Sequence, residues 1–318
     1  MPKRYDVLIT APYFLPVVDR FRARLEEAGC RLRVEEVAER ATVEQLTQWV
    51  PGIHGTICGD DPYTAEVLEG ADELRVISKW GTGIDSIDQQ ACRERGIAVR
   101  NTPGAFSRPV ADSVMAYVLS FARRTPWMDR DLKQGGWSKL PGYSLSEWTL
   151  GIVGVGDIGS EVARRAAPFG CRLLGNDIVT IPSELKQQTG LEQVGLEELL
   201  AESDVVSLNC DLNPTSRGLI HAGTLALMKP RAWLVNTARG PVVVEADLVA
   251  ALREGRLAGA ALDVFEQEPL PADSPLRSMD NVLLAPHNAN SSPTAWERVH
   301  ENTVDNLLEA LGTERGGR

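Results

Sequence analysis

Short β-rich runs alternate with amphipathic stretches along the first hundred residues. Residues 6–10, 31–37, 55–59, 74–79 and 97–100 read as strands, while 21–28 and 65–70 repeat apolar positions at helical spacing and stop near glycine. This alternation predicts a parallel sheet wrapped by helices. The strongest helical pattern is 109–124, with Val110, Val114, Tyr117, Val118 and Phe121 on one stripe and arginines at its C-terminal end. It is too short for a bilayer span and is interrupted by Asp112, so it reads as a core or subunit-interface helix. A polar stretch containing glycine and tryptophan follows over 134–148.

A second alternating series begins at Leu150. Strands are expected at 150–155, 172–176, 204–209, 232–236, 259–264 and 282–285, with helices including 159–169, 196–201 and 245–254. Six parallel strands around one glycine-rich turn predict a doubly wound sheet. A last amphipathic helix is expected over 293–311, followed by a tail, 312–318, expected to fray.

Composition narrows the function classes. The 318 residues are 43% hydrophobic and 24% charged, which suits a folded chain of two domains, and the net charge of −11 disfavours nonspecific attraction to nucleic acid or anionic membranes. The start of the chain lacks a signal-peptide pattern and no apolar run is long enough to span a membrane, so the expected location is the cytoplasm. The cysteines, Cys30, Cys58, Cys92, Cys171 and Cys210, are scattered without a C-x-x-C pair, so neither a disulfide framework nor a metal site is expected.

The chemistry concentrates at strand ends. Gly154-x-Gly156-x-x-Gly159 follows an apolar run and opens a helix, the arrangement in which a tight turn, close backbone approach and strand–helix packing prepare exposed N–H groups for a pyrophosphate. Asp177 ends the next predicted strand, where a carboxylate accepts hydrogen bonds from ribose hydroxyls and repels a 2′-phosphate; this predicts NAD rather than NADP. Of four histidines, His54, His221 and His300 read as solvated or capping residues, whereas His287 follows a predicted strand and a proline. Arg239, whose planar fork suits a carboxylate or 2-keto acid, and the pair Asp263 and Glu268 follow two further strands. In an open α/β sheet, ligands gather outside these carboxyl ends.

With WGTGIDSID, NTPGAFSRPVAD, LGIVGVGDIG, LVNTARGPVV, GAALDVFEQEPLP and NVLLAPHNA in this order, the chain resembles the NAD-dependent D-isomer-specific 2-hydroxyacid dehydrogenases. The resemblance implies a catalytic set of Arg239, Glu268 and His287. It also implies cofactor contacts at Gly154, Gly156, Asp157, Ile158, Gly159, Asp177, Cys210, Thr237 and Asp263, with Thr82 and Asn290 joining them. The substrate carboxylate would be held by N–H groups at Thr82 and Gly83. The implied layout is two Rossmann-like, doubly wound parallel-sheet domains with a cleft between them: a flavodoxin-like substrate domain from 1–100 and 289–318, and an NAD-binding domain from 101–288. A dimer arm in the family resembles the helix 109–124 and the stretch behind it, which implies a homodimer.

Within the family the motifs look most like phosphoglycerate dehydrogenases, with Lys79 and Lys139 falling where those enzymes place phosphate-binding cations. Against this, Cys58 stands where a further phosphate-binding arginine is expected, and Asp60 and Asp61 after it would repel a phosphate. No regulatory domain is expected after Leu311. A phosphoglycerate enzyme is therefore the leading expectation, with a glyoxylate or hydroxypyruvate reductase as its alternative and an NAD-sensing, corepressor-like binding protein as an alternative of another class. Lys79 and Trp80 precede the Thr82 turn and are read either as selectors of the substrate's distal group or as a snorkelling lysine beside a core tryptophan.

Overall fold

The computed structural model describes residues 4–312; the tail expected to fray lies, from residue 313 on, outside them. The chain divides into two compact units, one formed by residues up to Phe106 together with those from Ser292 onward, the other by Ser107–Ser291. Among the described residues each unit holds one all-parallel sheet, so the doubly wound α/β expectation holds.

In the first unit, β1 (Tyr5–Ile9), β2 (Cys30–Val34), β3 (Gly55–Cys58), β4 (Val76–Lys79) and β5 (Ala98–Arg100) lie in the order β2-β1-β3-β4-β5. This is the flavodoxin-like order. Between them run α1 (Val18–Glu27), α2 (Val43–Trp49), α3 (Ala65–Glu69) and α4 (Gln89–Glu94). The side chains of Thr42, Thr64 and Asp88 cap α2, α3 and α4, each accepting a backbone N–H from the first turn. Asp61 ties three segments together, accepting from the Thr10 hydroxyl at 2.6 Å, the Ala41 N–H at 2.6 Å and the Gly59 N–H at 3.1 Å while fully buried.

The second unit starts with α5 (Ser107–Arg123) and α6 (Thr125–Lys133), which the chain separates at Arg124 by a left-handed residue, φ 58°. One helix was expected here and two are present; Pro126 at the start of α6 is the signal for the second. The remaining strands are β6 (Thr149–Val153), β7 (Arg172–Asn176), β8 (Glu192–Gln193), β9 (Val205–Leu208), β10 (Trp233–Asn236), β11 (Gly259–Leu262) and β12 (Val282–Leu284). The intervening helices are α7 (Asp157–Ala166), α8 (Ser183–Thr189), α9 (Leu196–Glu202), α10 (Ala222–Leu225) and α11 (Glu245–Arg253).

Their order is β12-β11-β10-β9-β6-β7-β8, which reverses direction between β6 and β9. The unexpected strand β8 is two exposed residues on the edge, too short for a pattern to announce it. Alternation fills both faces: Val206, Leu234, Ala260 and Leu262 join one buried cluster, Val205, Trp233, Val235 and Ala261 the other. Helix α5 packs across α7 through the inward stripe that its sequence carries, although Tyr117 of that stripe stays half-buried.

The last helix, α12 (Pro293–Leu311), belongs to the first unit and covers β3, β4 and β5. Ser292 caps it, accepting from the Ala295 N–H, and Gly312 ends it in a left-handed conformation. Contrary to its reading as a solvated or capping residue, His300 is 4% exposed on the inner face of α12. Its Nδ1 accepts the Trp80 indole N–H at 2.9 Å. Burial lowers its pKa from the ordinary imidazole value. His221 does cap a helix, α10, and His54 accepts the Asp6 N–H at 3.1 Å.

Candidate active site

Strands β10, β11 and β12 are adjacent, parallel and in register at Asn236, Leu262 and Leu284, so their carboxyl ends stand side by side. The chain leaving β10 is closed into a turn by the Asn236 side chain, which accepts the Ala238 N–H at 3.1 Å and donates to the Arg239 carbonyl at 3.0 Å. That turn presents a half-buried Arg239, whose guanidinium donates to the Ala238 carbonyl at 2.9 Å. Gly240 then passes directly under the loop after β11. Asn236 and Gly240 are not among the expected site residues, although a strand ending in Asn and followed, after Thr-Ala, by Arg-Gly-Pro is a turn signal.

The loop after β11 carries Asp263 and Glu268. Glu268 accepts the Phe265 N–H at 2.9 Å through Oε1, and its Oε2 lies 2.9 Å from His287 Nδ1. The histidine sits three residues beyond β12 with φ 49°, a left-handed conformation rare for a side chain of this size. Asp263 holds it there. The His287 N–H donates to the Asp263 carbonyl at 2.7 Å, and the Asp263 carboxylate accepts from the N–H groups of Asn288 and Ala289 at 2.9 Å each. Burial raises the Asp263 pKa, opposed by those two backbone donors. A carboxylate on Nδ1 orients the ring.

On the same sheet, the turn after β6 stands where the strand order reverses. Gly154 has φ 82°, and a Cβ there would stand 2.6 Å from the Cys210 nitrogen after β9. A Cβ on Gly159 would fall 2.0 Å from the Gly154 carbonyl oxygen, so helix and turn meet only with glycine present. Around Gly156, by contrast, a Cβ would meet nothing within 4 Å. The turn is braced by Asp177, which accepts the Val155 N–H at 2.7 Å through one oxygen and the Val179 N–H at 3.1 Å through the other. Asp157 is exposed at the start of α7, Ile158 is half-buried against the core, and Cys210 is half-buried with its thiol pushed up to about 11 by burial.

Comparisons with known proteins identify the group. Residues 115–289 match the model of the "D-isomer specific 2-hydroxyacid dehydrogenase, NAD binding domain". A glyoxylate reductase of Korarchaeum cryptofilum is 44% identical over 254 residues, covering 78% of this chain and 76% of that protein. The chain belongs to the D-isomer-specific 2-hydroxyacid dehydrogenases. A D-3-phosphoglycerate dehydrogenase of Methanocaldococcus jannaschii is 39% identical over 91% of this dehydrogenase and 55% of its own length, so the chain spans about half of that relative. Among solved structures, D-lactate dehydrogenase from Aquifex aeolicus, complexed with NAD and lactic acid, has a TM-score of 0.84 at 28% identity, covering 98% of this chain and 99% of that one.

The dehydrogenase uses NAD, and its residues fit the cofactor. The turn from Gly154 to Gly159 is backbone only where a pyrophosphate needs room, and α7 begins without a side-chain cap on its N–H groups. Asp177 retains lone pairs for ribose hydroxyls. Thr237 offers a further sign: its hydroxyl is buried and makes no hydrogen bond among the described residues, leaving a polar atom available to a ligand.

Other expected positions of the dehydrogenase lie in the first unit. Lys79 ends β4 and is buried, with Nζ 3.1 Å from Asp60 and donating to the Trp80 carbonyl at 3.0 Å. It is therefore not a snorkelling lysine, and Trp80 is a core residue stacked on Tyr13 at 4.8 Å between ring centroids. In the turn that follows, Gly81 has φ 123°, and Asn101 donates to the Thr82 carbonyl at 2.6 Å. The N–H groups of Thr82 and Gly83 donate to nothing among the described residues. In the second unit, Lys139 is exposed and Asn290 lies half-buried three residues past His287.

Proposed function

We propose that the chain interconverts a short 2-keto acid and its D-2-hydroxy acid through Arg239, Glu268 and His287. The observation that carries this reading is the 2.9 Å contact of Glu268 with His287 Nδ1, made on loops at neighbouring strand ends beside the loop of Arg239. Arg239 receives the acid's carboxylate or carbonyl through its fork of donors, which orients the reacting carbon. His287 Nε2 gives a proton to the carbonyl oxygen during reduction and takes it back during oxidation, while Glu268 stabilises the charged ring. Thr82 and Gly83 contribute open N–H groups for a carboxylate. Bound NAD supplies the hydride chemistry, held by Gly154, Gly156, Asp157, Ile158, Gly159, Asp177, Cys210, Thr237, Asp263 and Asn290, with Thr82 alongside.

Replacing His287 by Ala tests the assignment. Turnover of 2-keto acids with NADH should fall by at least ~10²-fold while NADH binding, followed by fluorescence, persists; near-normal turnover overturns it. The substrate readings are 3-phosphohydroxypyruvate, and glyoxylate or hydroxypyruvate, each carried by relatives of the corresponding name. The ratio of kcat/KM values for these acids with NADH separates them.

The chain acts as a homodimer in the cytoplasm under this reading. Leu132 in the last turn of α6, and Leu140, Tyr143 and above all Trp137, 82% exposed, on the segment after it, place apolar surface on one short stretch, which a second copy would cover. No helix among the described residues is long and apolar enough to cross a membrane, and the five cysteines are free. Light scattering should give twice the 34.7 kDa of one chain; a monomer mass rejects the dimer.

A further inference from the structure

The ion pair of the buried Lys79 with the half-buried Asp60 stands immediately beside the turn with open N–H groups. A Cβ on Gly81 would lie 3.3 Å from Lys79 Nζ, so the ammonium is packed against that turn. Left alone, a buried cation there would draw in the most highly charged anion available, because its desolvation is relieved only by a counter-charge. Asp60 supplies that counter-charge at 3.1 Å. The two side chains differ in exposure, 5% for Lys79 against 29% for Asp60, so the pair presents its carboxylate outward.

We propose that Asp60 determines specificity, occupying Lys79 so that the turn accepts 2-keto acids with a small, uncharged distal group and rejects those ending in a phosphoryl group. This rests on the reading above that Thr82 and Gly83 take the substrate's carboxylate. A phosphoryl dianion arriving at the same turn meets the Asp60 carboxylate and a cation already neutralised. A hydrogen or hydroxymethyl group meets no such repulsion.

Steady-state kinetics with NADH test this on glyoxylate, hydroxypyruvate and 3-phosphohydroxypyruvate. The unmodified enzyme should show kcat/KM for hydroxypyruvate at least ~10-fold above that for its phosphorylated counterpart. Asp60→Asn keeps the shape and removes the charge, and should shift that ratio toward the phosphorylated acid by ~10-fold or more. Adding Lys79→Met should abolish the gain. A preference of the unmodified enzyme for the phosphorylated acid overturns the proposal without reference to any variant. Turnover with a ratio unchanged in Asp60→Asn overturns the role of Asp60 alone. Absence of turnover with all three acids overturns it together with the reading of the site.

Discussion

Gly240 lies so close to Phe265 that a Cβ on it would stand 1.9 Å from the Phe265 carbonyl carbon. The two loops that carry Arg239 and Glu268 therefore touch through backbone, with no side chain between them. Gly240→Ala must push them apart. We expect a loss of stability of about 1–3 kcal/mol from overpacking and a kcat loss larger than the change in NADH affinity. Thermal melts with matched kinetics check this, and a variant with native melting and native kcat contradicts it.

Glu268→Gln retains an oxygen for the Phe265 N–H but offers His287 Nδ1 an uncharged partner. The charged ring loses its counter-ion, so kcat should drop by ~10-fold or more while KM for NADH stays nearly constant. An equal fall in NADH affinity would instead place Glu268 in cofactor binding.

His300 gives the fold a pH dependence. Desolvation lowers its pKa below the ordinary 6.5, Glu297 opposes that shift and Arg20 adds to it. Below about 6.5 the unfolded chain binds more protons at this site than the folded one, so stability falls as pH decreases and is fully present above that value. His300→Gln keeps an acceptor for the Trp80 N–H and cannot titrate. Urea unfolding from pH 7.5 down to pH 5 should show wild type losing stability relative to this variant, by at most ~1.4 kcal/mol per pH unit. Parallel curves would remove His300 as the source.

Asp61 contributes through connectivity. Asp61→Ala leaves the N–H groups of Ala41 and Gly59 and the Thr10 hydroxyl without their acceptor in a fully buried place. Each orphaned group costs about 1–3 kcal/mol, so a total of roughly 3 kcal/mol or more is expected from urea unfolding. A loss under ~1 kcal/mol would mean that water or a shifted loop replaces the carboxylate.

Local patterns announced most of this architecture. Helix α12 was legible to the residue because Pro293 and Gly312 mark its ends and its apolar positions keep helical spacing. The same spacing holds the correction for His300, since Thr303, Val304 and Leu307 share its inward stripe. The strand-end positions of Arg239, Glu268 and His287 followed from order along the chain, but the devices that set their geometry did not. The Gly240 crossing, the Asp263 clamp on the left-handed His287 and the partner of Lys79 all join segments distant in sequence, where no periodicity connects them.

Helix α12 seals β3, β4 and β5, with Leu307 so near Gly55 that a Cβ there would stand 2.8 Å from its Cδ1, and with the Thr303 carbonyl accepting the Ser78 hydroxyl at 2.8 Å. During synthesis those strands leave the ribosome early, yet their cover emerges only after all of residues 107–291. The growing chain must therefore carry β3, β4 and β5 without their α12 cover through most of translation, a window in which that apolar face is open to association with other chains.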